Sequence, residues 1–218
     1  MPSFSSLSVI ALAAIAGTAS AAFGPAFSTG QKGTFIREAT STLILPKGGN
    51  GGSVSLWVGM GTTKGDLIQS IADNTGRPQW SIFAYTLVLK GDGTQEPVAA
   101  PGEDANAEDR VTMHYKFDDR SQNYTQTVLV NGRQVSTLST NSGHAEGWGS
   151  AVECQATDCG TIPEHKWIDT KITLDKPNRG YSGTLRKDRG VVGDMTTSDG
   201  GKTWVVSDIV IPTYMFGQ

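Results

Sequence analysis

The 218-residue chain has only two cysteines and three histidines, and it shows neither helical periodicity nor an apolar run of membrane-spanning length. These shortages exclude several classes. His114, His144 and His165 are not spaced to share a metal with Cys154 and Cys159, so no metal site and no cofactor are expected. Charge of neither sign dominates: the formal net charge is −3 and the pI about 5.6. Without a basic stripe or a cationic amphipathic helix, nucleic acid and membrane surfaces are not expected partners. No serine/histidine/aspartate arrangement stands out. The GKT at Gly201, Lys202 and Thr203 lacks the upstream glycine of a phosphate-binding loop.

What the chain does have begins with an export signal. Residues 7–16 form a short apolar segment, and Ala19, Ser20 and Ala21 make the small-residue pattern of a cleavage site. A signal peptide over residues 1–21 and a secreted mature chain over residues 22–218 follow as expectations. That remainder suits a single domain, since no linker or repeat divides it, and it is expected to be a monomer. In an oxidising compartment Cys154 and Cys159 are expected to close a short disulfide loop. Asn123, Tyr124 and Thr125 form one N-glycosylation sequon.

Short runs of β-branched and aromatic residues between turn signals fill the chain. Strands are expected over residues 33–46, 53–59, 66–72, 80–90, 110–117, 124–130, 133–139, 150–155, 165–174, 191–197 and 203–211. Residues 95–108 and 143–149 read as loops. Residues 110–117 alternate, with Val111, Met113, Tyr115 and Phe117 on one face. The pair Asn131–Gly132 is the strongest hairpin signal, because a type I′ turn needs positive φ at both positions. About ten such strands predict an all-β antiparallel sandwich or jelly roll.

Two side chains carry the candidate chemistry. Gln69 shares a strand face with Leu67 and Ile71, so its amide is either buried among apolar neighbours or lines a concave surface beside them. On residues 150–155, Glu153 alternates with Val152 and Cys154 and so faces a groove rather than the core. Glu146 is a second candidate acid, and Trp57 and Trp148 are candidate groove aromatics.

The order GTFIREATSTLILP, SLWVG, DLIQ, an alternating strand with its hairpin, and SAVECQ resembles the fungal glutamic peptidases called eqolisins. The resemblance implies a concanavalin A-like double sheet, with Gln69 at the position of the catalytic glutamine and Glu153, or in competition Glu146, at that of the glutamate. It also implies an acid endopeptidase acting on protein or peptide, in which the carboxylate activates water and the amide stabilises the oxyanion. The pattern departs from the family at Cys154, which stands where tryptophan follows the glutamate. Two other readings use the same scaffold. A glycan-binding or glycan-cleaving protein would use tryptophans as platforms and pair Glu146 or Glu153 with Asp66 or Asp169. A non-catalytic secreted protein would use the glycine-rich loop 143–149 as its contact surface.

Overall fold

The computed structural model describes residues 21–30, 33–48, 51–156 and 158–217. Apart from Ala21, the expected signal segment lies outside the described residues. Sixteen strands follow in order: β1 Ala22–Ser28, β2 Ile36–Ile44, β3 Val54–Thr62, β4 Leu67–Asn74, β5 Trp80–Leu89, β6 Gln95–Ala99, β7 Glu103–Ala105 and β8 Arg110–Asp118. After these come β9 Asn123–Val130, β10 Arg133–Thr140, β11 Ala145–Cys154, β12 Thr161–Ile162, β13 His165–Leu174, β14 Arg186–Lys187, β15 Thr203–Ile211 and β16 Tyr214–Met215. Among the described residues helix is limited to the 3-10 turn Tyr181–Thr184, and no helix is long and apolar enough to cross a membrane.

All pairings of these strands are antiparallel; β12 and β16 pair with each other apart from the rest, and the others make two layers. One runs β15–β13–β2–β8–β9–β10, the other β14–β1–β11–β3–β4–β5, with β6 and β7 side by side on the far edge of β5. The layers meet at one corner, where Ala145 of β11 pairs with Ile36 of β2. Period-two alternation sends Val54, Leu56, Val58 and Met60 of β3 and Met113, Tyr115 and Phe117 of β8 into the core between them. Hydroxyls cross this core: Tyr115 donates to the Val58 carbonyl at 2.6 Å, and Ser70 donates to Gln126 at 3.1 Å.

The sandwich and the Asn131–Gly132 hairpin are as the residue pattern predicts, with φ of 51° and 81° at the turn. Four segments differ. Ala22–Ser28 pairs with β11 although its Gly24–Pro25 dipeptide reads as a breaker; those two residues sit at a register shift, where a missing amide donor and a bend cost no ladder bonds. The expected loop 95–108 contains β6 and β7, and the expected loop 143–149 supplies the first half of β11. Residues 191–197 contribute only isolated bridges, Val192 to Val210 and Thr196 to Val205. Cys154 and Cys159 are bridged as expected. So short a loop limits the entropic gain to about 2 kcal/mol.

Candidate functional site

On the layer β1–β11–β3–β4–β5 the side chains pointing away from the core form a second, smaller apolar cluster. Trp57, Ile71 and Ala151 make its centre, packed by Phe23, Ala26, Phe83 and Tyr85. The three central residues face outward yet are nearly buried, as is Gln69 beside them; Trp57 keeps 4 % of its surface exposed and Gln69 5 %. An outward face that hides its side chains this well is recessed, and large apolar side chains in a recess mark a place where something docks.

Register orders this face into rows. The first holds Phe23, Glu153, Ser55, Asp73 and Ser81; the second Ala26, Ala151, Trp57, Ile71 and Phe83; the third Ser28, Gly149, Gly59, Gln69 and Tyr85. Gln69 and Glu153 therefore share a face, which alternation predicts for Glu153 and leaves open for Gln69, but not a row. They stand two strands and two rows apart, about 10 Å across the sheet and about 13 Å along it. Trp57 occupies the row between and donates its Nε1–H to Glu153 Oε2 at 2.9 Å. The residue directly across from Gln69, beyond Gly59, is Gly149.

Gly59 could hardly be anything else. A Cβ there would lie 2.7 Å from the Ile68 carbonyl oxygen and 2.9 Å from the Gln69 Cβ. Gln69 itself ends in a buried Oε1 without a hydrogen-bond partner among the described residues, an arrangement that costs stability unless a ligand or solvent meets it.

At the other end, Glu153 is held by two donors, Trp57 and the Gln155 Nε2–H at 2.8 Å. Burial pushes its carboxyl above the ordinary glutamate range; the two hydrogen bonds oppose that and the charge of Asp73 adds to it. Asp73 accepts from the Ser55 hydroxyl at 2.9 Å and is also raised, chiefly by burial. Sequence reasoning passed over Asp73. The signal was there, since it follows Gln69 and Ile71 at the same period.

A stability prediction follows from this burial. A carboxyl raised in the folded state holds its proton to higher pH than in the unfolded chain, so its ionisation lowers stability as pH rises through the folded pKa. Asp73→Asn is expected to raise the melting temperature near pH 7, with the gain shrinking toward zero on acidification to about pH 3.5, where the folded and unfolded carboxyls are both protonated. Thermal melts of wild type and variant across that range check this; a gain independent of pH would remove the ionisation argument.

The remaining candidates are dispersed. Trp148 is not a groove residue: its even position on β11 sends it into the core, fully buried, with its ring edge-on to Phe27. Glu146 sits at the register shift of β11 between Ala145 and Gly147 and is half-buried. Asp66 is buried beside β5, accepting from the Leu89 amide, and Asp169 is on β13 in the other layer near Arg110. Neither pairs across a cleft with Glu153. Asn123 opens β9, partly exposed, and its amide donates to Ser139 at 3.2 Å. Among the described residues no three histidine, cysteine or acidic side chains gather to hold a metal.

Neither a family profile nor a curated protein matches the chain. Solved structures do. Scytalido-glutamic peptidase, bound to a transition-state analogue inhibitor, superposes with a TM-score of 0.56 at 16% identity, over 87% of this chain and 99% of its own. SCP-B, a member of the eqolisin family in complex with the tripeptide Ala-Ile-His, gives 0.51 at 17% identity over the same shares. The kappa-carrageenase from Pseudoalteromonas carrageenovora, bound to an oligosaccharide, gives 0.39 at 12% identity over 87% of this chain and 79% of its own. The chain thus has the concanavalin-like fold of the glutamic peptidases.

Proposed function

We propose that this is a secreted peptide-binding protein that uses the recessed face of the glutamic-peptidase fold without that family's glutamine–glutamate hydrolysis. One observation carries the reading: the row of Gln69 runs through Gly59 and Gly149 to Ser28, with no acid in it. A carboxylate and an amide that share one water must bring their polar atoms within about 6 Å of each other, two hydrogen bonds in sequence. Glu153 is displaced by two rows and turned to Trp57 and Gln155, which supports the non-catalytic reading.

Support for a peptide comes from the face itself. Its Trp57, Ile71 and Phe83 make an apolar floor, and the unpartnered acceptor on Gln69 suits a backbone N–H. Both glutamic peptidases to which the fold is similar were captured with peptide-like ligands. The disulfide and the sequence of residues 1–21 support export.

The test is direct. Secreted wild-type protein incubated with denatured casein from about pH 3 to pH 7 is expected to release no new peptides, while calorimetry with short blocked peptides shows saturable binding. Acid hydrolysis that disappears in both Gln69→Ala and Glu153→Gln would restore the peptidase reading.

A further inference from the structure

We propose that the end of this face floored by Ser55 is a pocket for a cationic side chain, a lysine or arginine of the bound peptide, held between the carboxylates of Asp73 and Glu153. This rests on the peptide reading and names what the groove selects. Register places the two acids on either side of Ser55, each one strand away from it, so that their Cα atoms are about 10 Å apart. A slender ammonium or guanidinium between two side chains of that length reaches both.

Each acid retains capacity for it. A carboxylate offers roughly four acceptor positions; Glu153 uses one on each oxygen, for Gln155 and Trp57, and Asp73 Oδ1 takes the Ser55 hydroxyl. Aromatic side chains surround the pair. Phe23 is the β1 partner of Glu153, Trp57 and Phe83 stand in the next row, and the hydroxyl of Tyr85 lies close enough to feel the Glu153 charge. Such surroundings accept both the apolar stem and the charged head of a basic side chain.

The cation at hand does not fill the place. Arg77 acts on Asp73 electrostatically, but its fork is spent on Asp104 at 3.2 and 3.3 Å, with a further N–H on Ser81 at 2.7 Å. Around the pair stand Ser55, Trp57, Gln155, Tyr85, Phe23, Ser81, Arg77 and Asp104, and among the described residues Arg77 is the cation that bears on it.

Two independent features point to a ligand. Gln69 Oε1 is a buried acceptor without a donor, directed onto the same face from two rows along β4. The intervening 13 Å or so is the span of four residues of extended chain. One peptide can therefore give a backbone N–H to Gln69 and a cation to the acids. Beyond Asp73 the first row opens into a cavity of about 470 Å³ lined by Ser81, Phe83, Gly102, Glu103 and Asp104, which gives the chain a way out.

Because burial raises both acids, the pocket loses its charge at a higher pH than ordinary carboxylates would. Affinity for the cation falls on acidification, opposite to the trend of an acid peptidase.

Calorimetry on the full secreted chain compares two blocked alanine hexapeptides, one carrying lysine and one norleucine at the third position. The lysine peptide is expected to bind about tenfold tighter near pH 7. Asp73→Asn and Glu153→Gln are each expected to reduce that preference to roughly threefold or less, as is acidification to about pH 4 in the wild type. Near-ultraviolet circular dichroism matching wild type shows the variants to be folded. Equal binding of the two peptides, or a preference that survives in the double variant, overturns the cation pocket alone. Binding of neither peptide overturns the peptide reading together with it.

Discussion

Gly149→Glu is expected to raise acid hydrolysis of peptides well above the wild-type level. Position 149 faces Gln69 across Gly59, with about 10 Å between the flanking Cα atoms, room for a glutamate, a water and the amide in one line. Gly59, which tolerates no side chain, keeps that line open. The substitution is sterically feasible: the new Cβ would lie 3.1 Å from the Phe27 carbonyl oxygen and 3.3 Å from the Ser28 Cβ, contacts that a shift of a few tenths of an ångström in β1, together with the two-residue strand β14 outside it, relieves. The φ at 149 is not positive, so the backbone itself sets no penalty.

A positioned carboxylate acting as general base and then acid contributes about 10²- to 10⁴-fold, and an amide donor to the oxyanion about 10²- to 10³-fold. Hydrolysis of denatured casein near pH 4 should thus rise at least roughly a hundredfold over wild type. It should vanish when Gln69→Ala is added. Gly149→Gln, of equal size but without an acid, should stay at background. Should that amide variant cleave as well as the glutamate variant, or should folded Gly149→Glu protein remain inert, the assignment of position 149 as the missing acid fails.

The second large effect is on stability. Tyr115→Phe is expected to cost about 2 to 5 kcal/mol, because it deletes one hydroxyl and strands two backbone groups. Tyr115 belongs to β8 in the opposite layer and is fully buried. Its hydroxyl accepts from the Ser70 amide at 2.8 Å and donates to the Val58 carbonyl at 2.6 Å, bridging β4 to β3 from beneath. Ser70 and Val58 are the sequence neighbours of Gln69 and Gly59, so the strut supports the row that the functional reading depends on. Burial holds its hydroxyl well above the ordinary tyrosine range, which keeps it protonated and able to donate. Urea unfolding checks the value. A loss below about 1 kcal/mol would mean that β3 and β4 close up and bond to each other, leaving the hydroxyl dispensable.

The local chemistry of the residues determined much of this protein. Alternation in residues 110–117 fixed which face of β8 is buried, positive-φ residues set the hairpin at Asn131–Gly132, and period two put Gln69 on one face with Leu67 and Ile71 and placed Glu153 off the core. Those are consequences of backbone geometry within a few residues. Which row each side chain occupies is different, because β11 is joined to β3 by hydrogen bonds between segments some ninety positions apart. A slip of two residues in that pairing leaves every alternation pattern intact while moving a glutamate about 7 Å. Nothing in SAVECQ records that slip. Only the assembled sheet put Gly149 in line with Gln69 and Glu153 in line with Ser55 and Asp73, since the register of β11 on β3 is settled by the packing of the whole layer against the core.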